Sequence, residues 1–141
     1  MSRDDRDRPG HRAGPLLRIE RQATVSGAVL VVRGEIDLYT GDQFAEQLER
    51  VVVRAIASTT PVVVDLRAVT FFGAVGLGVL ASANERCLRA GVPMAVVADQ
   101  PTVLRVLRIA GLDRVLTVRR APPTGAGPTR DTPSELPDGD R

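Results

Sequence analysis

The sequence predicts an α/β domain built on a mixed sheet, in the order β-β-α-β-α-β-α-β, with the helices mainly on one face. Three observations carry this expectation. Short valine-rich runs, Val62–Leu66 above all, alternate with longer stretches in which apolar residues recur at helical spacing. The first two strand-like segments are separated only by a turn pair, so they form a hairpin. Every later strand is reached through a helical stretch of a dozen residues or so, which is what a crossover between parallel strands requires.

The elements follow in order. Leu16 to Thr24 alternates Leu17, Ile19 and Ala23 with Arg18, Glu20 and Gln22, the pattern of a strand with one wet face. Ser26-Gly27 is the turn pair, and Ala28 to Gly34 is a second, more apolar strand. Residues 34–40 lead into a helix, where Thr40 and Gln43 have capping-box spacing and Asp42 suits the helix dipole. Phe44, Leu48, Val51, Val52, Ala55 and Ile56 recur as its inner face, Glu46 and Arg50 lie four apart outside, and Ser58 to Pro61 stops it.

Val62 to Leu66 reads as a central strand buried on both faces. Beyond Phe71-Phe72 the turn Gly73-Ala-Val-Gly76 opens a helix from Leu77 to Ala90, with Leu77, Leu80, Ala81 and Leu88 as its inner stripe. Gly76 and Gly78 each cost about 1 kcal/mol of helix propensity, so a close approach of another backbone or a ligand is expected at both. Cys87 reads as a small core residue. Gly91 ends the helix, Pro93 to Val97 is a fourth strand, Pro101 opens a third helix with Val103, Leu104 and Leu107 inside, and Gly111 closes it. Val115 to Val118 is the last strand. The last four strands should be parallel; the sheet face without helices is left for a partner or the chain ends to cover.

Composition narrows the function classes. The 141 residues carry 19 basic and 17 acidic side chains, a net charge of +2, too small for a nucleic-acid footprint. One cysteine excludes an internal disulfide and a cysteine metal cluster. No apolar run approaches membrane-spanning length, and Met1 to Gly14 is too charged for a signal peptide, so a cytoplasmic protein is expected. Residues 1–14 are expected to be a disordered arm, 15–120 the domain, and 121–141 a disordered acidic tail rich in proline and glycine. Within the domain there is no histidine, no nucleophile beside a base and no metal constellation, so no catalytic residue, cofactor or metal is expected. Two classes stay open: a protein-interaction module, and a sensor of a small molecule or nucleotide that uses the free amides of the turn as an anion site. Asp37 has two open readings as well, a group facing a partner's cation or a turn acid bonding local amides. Asp65 reads as an acid bonding neighbouring amides.

Four segments in order, Gly34-Glu-Ile-Asp37, Val64-Asp65-Leu66, Phe71-Phe-Gly-Ala-Val-Gly-Leu77 and Gly111-Leu-Asp113, resemble the STAS domain, and more closely the bacterial anti-sigma-factor antagonists. The resemblance spans about Leu16 to Arg120. It implies a STAS-like fold and a regulatory module that binds an anti-sigma factor, itself an ATPase-type serine kinase, in a partner-switching pathway. It implies a partner surface of Asp37, Thr40, Phe72, Gly73, Ala74, Val75, Gly76 and Leu77. The family's turn reads roughly Phe-hydrophobic-Asp-Ser-Ser/Thr-Gly-Leu, and its first serine is phosphorylated by the partner. Here Gly73 stands in place of the aspartate, Ala74 in place of the phosphoacceptor serine and Val75 in place of the second hydroxyl. Alanine has no oxygen to accept a phosphoryl group, so the resemblance implies a member without the usual switch: a constitutive antagonist, a decoy or a scaffold component. Thr70 is the nearby hydroxyl that could substitute.

Overall fold

Five strands and three helices form in the expected order. The computed structural model describes residues 17–25 and 27–121; the expected arm (1–14), residues 122–141 of the expected tail, and Ser26 lie outside them. The elements are β1 (Leu17–Thr24), β2 (Gly27–Ile36), α1 (Gly41–Ser58), β3 (Val62–Phe72), α2 (Ala74–Ala90), β4 (Met94–Val97), α3 (Pro101–Ile109), a 3-10 turn (Leu112–Arg114) and β5 (Thr117–Arg119). They make one sheet in the order β1-β2-β3-β4-β5. The β1–β2 pair is antiparallel, and the β2–β3, β3–β4 and β4–β5 pairs are parallel.

Alternation assigns each strand residue to a face. Leu30, Val32, Val62, Val64, Leu66, Met94 and Val96 join the inward residues of all three helices (Phe44, Leu48, Leu80, Cys87, Val103 and Leu107 among them) in one buried cluster. The next residues along, Val29, Val63 and Val97, form a second buried cluster. Burying the strands on both faces is what lets them be valine-rich without interruption.

One strand is longer than its apolar run. β3 continues through Arg67 to Phe72, whereas β4 pairs only with Val62 to Asp65. Above that level β3 stays paired with β2 alone, through two register shifts, to Ile36 opposite Phe72. Gln100 covers part of the vacated edge: its side-chain amide lies 2.6 to 3.0 Å from the carbonyls of Leu66, Arg67 and Val69. The β2–β3 pair therefore projects past the rest of the sheet and carries two loops at its tip.

Three local expectations change. The inner stripe of α2 is Gly76, Leu80, Ala83, Asn84 and Cys87; Leu88 is 67% exposed. From Leu80 the positions three, four and seven residues on share its face, and Leu88, eight on, turns away. The last strand starts at Thr117, because the 3-10 turn uses Leu112–Arg114 and leaves Val115 exposed and Leu116 buried. Gly76 and Gly78 are not alike. A Cβ at Gly76 would lie 2.6 Å from the Phe72 ring, whereas one at Gly78 would meet nothing within 4 Å. Cys87 is fully buried, and burial raises its thiol pKa, so it is an inert core residue. Asp65 accepts bonds from the backbone N–H, Nε and Nη2 of Arg67 at 2.8 to 3.0 Å, and these hold the Arg67 guanidinium charged.

The hairpin is joined to the α1–β3 connection through Gly27. Its φ is +127°, and a Cβ there would lie 2.4 Å from the Pro61 carbonyl oxygen, which accepts the Ala28 N–H at 2.9 Å. Gly27→Ala should therefore destabilise the fold by more than about 1 kcal/mol, while Gly78→Ala should stabilise it by up to about 1 kcal/mol. Urea titrations of the two variants should move the midpoint in opposite directions.

Candidate functional site

The tip of the β2–β3 pair sets two loops side by side. The Gly73 N–H donates to the Ile36 carbonyl at 2.8 Å, so the turn that opens α2 is hydrogen-bonded to the end of β2. Gly73 itself is extended, at φ −88° and ψ 179°, and α2 begins at Ala74 with no side-chain cap.

The other loop, Asp37 to Thr40, is closed by its own side chains. Asp37 Oδ1 accepts the N–H groups of Tyr39 (2.9 Å) and Thr40 (3.1 Å). The Thr40 hydroxyl accepts the Asp37 N–H (2.9 Å) and donates to the Glu35 carbonyl (2.8 Å). The Asp37 carbonyl accepts the Gly41 N–H at 2.8 Å. Thr40 thus makes no side-chain bond into α1, contrary to the expected capping box with Gln43, because its hydroxyl is already committed to the loop. Of the two readings of Asp37, the turn acid describes Oδ1; Oδ2 has no hydrogen-bond partner among the described residues.

This closed loop pushes its two middle residues outward. Leu38 is 87% exposed and Tyr39 90%. Across from them Phe71 is 51% exposed, while Phe72, the next residue along β3, is buried. Asp37, Leu38, Tyr39, Phe71, Gly73, Ala74 and Val75 line a hollow of about 430 Å³. Among the described residues no arginine lines it. Tyr39 and Phe71 are two of the four aromatic residues in the whole sequence, so their meeting at one exposed spot is a concentrated apolar feature.

Of the eight residues singled out from the sequence, Gly73, Ala74 and Val75 line this hollow with Asp37. Thr40, Phe72 and Gly76 are buried beneath it, and Leu77 packs against the core. Glycine at 76 is required by the Phe72 ring and by Ile36, whose side chain a Cβ would approach to 3.0 Å. Gly41 has a similar reason: a Cβ there would lie 2.7 Å from a methyl of Val75, so the first residue of α1 rests on the turn. Sequence reasoning did not single out Leu38, Tyr39 or Phe71 as site residues. The signals that could have found them were the Asp-x-x-Thr turn chemistry and the Phe71-Phe72 pair, of which strand alternation can bury only one.

Chemically the site can bury apolar surface and little else. Thr40 is bonded on both sides, and the Thr70 hydroxyl lies on β3 and donates to the Gly34 carbonyl at 3.3 Å. No group of three or more His, Cys, Asp or Glu among the described residues is placed to hold a metal. No helix of the described residues is long and apolar enough to cross a membrane. Because Thr40 joins Asp37 to Glu35, Thr40→Val should destabilise the domain by about 1–3 kcal/mol, the cost of leaving buried partners unbonded. Thr40→Ser should recover most of that loss in the same denaturation series.

Comparisons with known proteins bear on the family and the fold. The pattern of the STAS domain family matches residues 18–124. Anti-sigma-F factor antagonist RsfB of Mycobacterium tuberculosis is 39% identical over 87 residues, which are 62% of this chain and 68% of the relative. The crystal structure of an anti-sigma factor antagonist from Mycobacterium paratuberculosis superposes with a TM-score of 0.64 at 28% identity, covering 74% of this chain and 86% of that one. The Bacillus cell fate determinant SpoIIAA in its phosphorylated form shares the fold, with a TM-score of 0.52 at 16% identity over 72% of this chain and 89% of that one. A family match across most of the length and a five-stranded sheet in the same element order lead to one conclusion: the chain belongs to the STAS domain family.

Proposed function

We propose that this protein is an anti-sigma-factor antagonist that binds an anti-sigma factor through the hollow at the tip of β2–β3, and that phosphorylation of the α2 turn does not switch it. Its partner is of the ATPase-type serine kinase class, the location is cytoplasmic, and the chain itself is a regulatory binding protein rather than an enzyme. The observation that carries this reading is the chemistry of the hollow: exposed Leu38, Tyr39 and Phe71 surround a floor of Gly73, Ala74 and Val75. An apolar patch of this kind on a small domain is a docking surface by default. The same floor lacks the hydroxyl that phosphoryl transfer needs, so docking shape and chemical switch are separated here.

The sensor reading is weaker at this place. An anion at the α2 amides would need a cation or hydroxyls beside it, and the hollow supplies only the Tyr39 side chain and a carboxylate.

Two experiments test the proposal. With the anti-sigma factor captured from the source organism and purified, Tyr39→Ala and Phe71→Ala should each weaken binding by about 2 kcal/mol while the fold is retained, as expected for exposed aromatic anchors. Unchanged affinity in both variants would remove the hollow as the docking surface. Incubated with that partner and ATP, the protein should gain no phosphate, whereas Gly73→Asp with Ala74→Ser should become a phosphoacceptor. The backbone accepts this double change, because φ at 73 suits any residue and a Cβ there meets the Ile36 carbonyl oxygen and the Phe71 ring at 3.3 Å, a contact small shifts can relieve. Phosphate on the unaltered protein, located by mass spectrometry at Thr70 or elsewhere, would overturn the loss of the switch.

A further inference from the structure

Away from the docking hollow, a cleft of about 730 Å³ lies between the β1–β2 hairpin and α1 from Gln47 to Ser58. Ile19 and Ala28 of the hairpin and the buried Val51 and Ala55 of α1 give it an apolar strip, and Gln22, Thr24, Gln47, Ser58 and Thr60 make much of the rest of the lining polar. Arg21 and Arg54 also line it, and among the described residues no acidic side chain does.

Arg21 is exposed, as is Ala23 two positions on, yet both lie on the helix side of the sheet. Arg21 pairs with Leu30, and its neighbours Ile19 and Ala23 pair with Val32 and Ala28, so by register it belongs to the sheet face that packs on the helices. Glu20, the adjacent acid, points to the other face by the same alternation. An inward charge on an edge strand discourages strand addition, but that role asks for one charge and not for a second arginine facing the same space. Neither Arg21 nor Arg54 has an ion-pair partner among the described residues, a condition they share with Arg18, Arg33, Arg105, Arg108, Arg114, Arg119 and Arg120; what sets the two apart is that they line one cleft. At the α1 C-terminus the Ile56 and Ala55 carbonyls accept the Thr59 and Thr60 amides.

We propose that this cleft is a binding site for a small amphipathic anion, its apolar body on the apolar strip and a carboxylate or phosphate head between Arg21 and Arg54. The site shares no lining residue with the docking hollow and does not depend on the partner reading. Two guanidiniums suit a carboxylate or phosphate head because each offers a planar fork of donors. The volume admits a chain of medium length rather than a headgroup alone.

The test is titration of the full-length protein followed by amide chemical shifts, with four probes: octanoate, monooctyl phosphate, octanol and inorganic phosphate. Saturable shifts with at least one of the two amphipathic anions, centred on Arg21, Ala23 and Ala55, are expected; the tighter of the two identifies the head. Octanol and inorganic phosphate should each bind at least tenfold more weakly. Arg21→Gln combined with Arg54→Gln should lower affinity for the preferred anion at least tenfold with the spectrum otherwise unchanged. The proposal fails if neither anion gives saturable shifts at millimolar concentration, if octanol or phosphate alone does as well, or if the double variant binds as tightly as the unaltered protein.

Discussion

The parallel pairing of β2 with β3 is the interaction on which the rest of this structure depends. It runs from Ala28 opposite Val62 to Ile36 opposite Phe72, well beyond the reach of β4. Its last bonds set where both loops around the hollow begin. The Gly73 N–H bound to the Ile36 carbonyl is the point at which sheet geometry becomes site geometry. A ladder held at both edges would have been stiffer, and the Gln100 amide laid along the β3 carbonyls replaces only part of what a longer β4 would provide.

Around that pairing the site is held by close contacts more than by charges. Gly41 against Val75 and Gly76 against Phe72 and Ile36 place the starts of α1 and α2 at separations no larger residue would allow. The helices are further tied by the Arg86–Glu49 ion pair. Val75 is therefore both lining and support: it faces the hollow and carries the first residue of α1. A hydroxyl residue in its place would present an oxygen to the hollow and would have to keep the same contact with Gly41.

Polarity is distributed so that the hollow stays apolar. Asp37 and Thr40 are the polar groups nearest to it, and their hydrogen bonds are mostly spent on shaping the loop. Two arginines without ion-pair partners among the described residues, Arg21 and Arg54, line instead the cleft beside the hairpin. Buried polar groups need partners and exposed apolar groups need cover. The first need is met within the chain at the hollow, and the second is what the proposed docking would meet.

The sequence by itself determined the α/β class, the element order, the parallel crossovers and the identity of the turn at Gly73 to Gly76, because each rests on spacing along the chain: period two, period 3.6, and glycine or proline at the ends. It also fixed what the turn lacks, since a missing oxygen is a fact of composition. Tertiary structure alone decided the rest. The length of β3 depended on β2 offering a partner beyond Leu66, which no property of Arg67 to Thr70 announces. Which of Phe71 and Phe72 faces outward depended on strand register, and whether Gly76 or Gly78 has a neighbour depended on which face of α2 meets the sheet. The Thr40 hydroxyl could cap a helix or close a loop with equal local plausibility; the Glu35 carbonyl, placed by the end of β2, decided between them. Spacing in sequence sets which residues share a face, and only packing sets what that face meets.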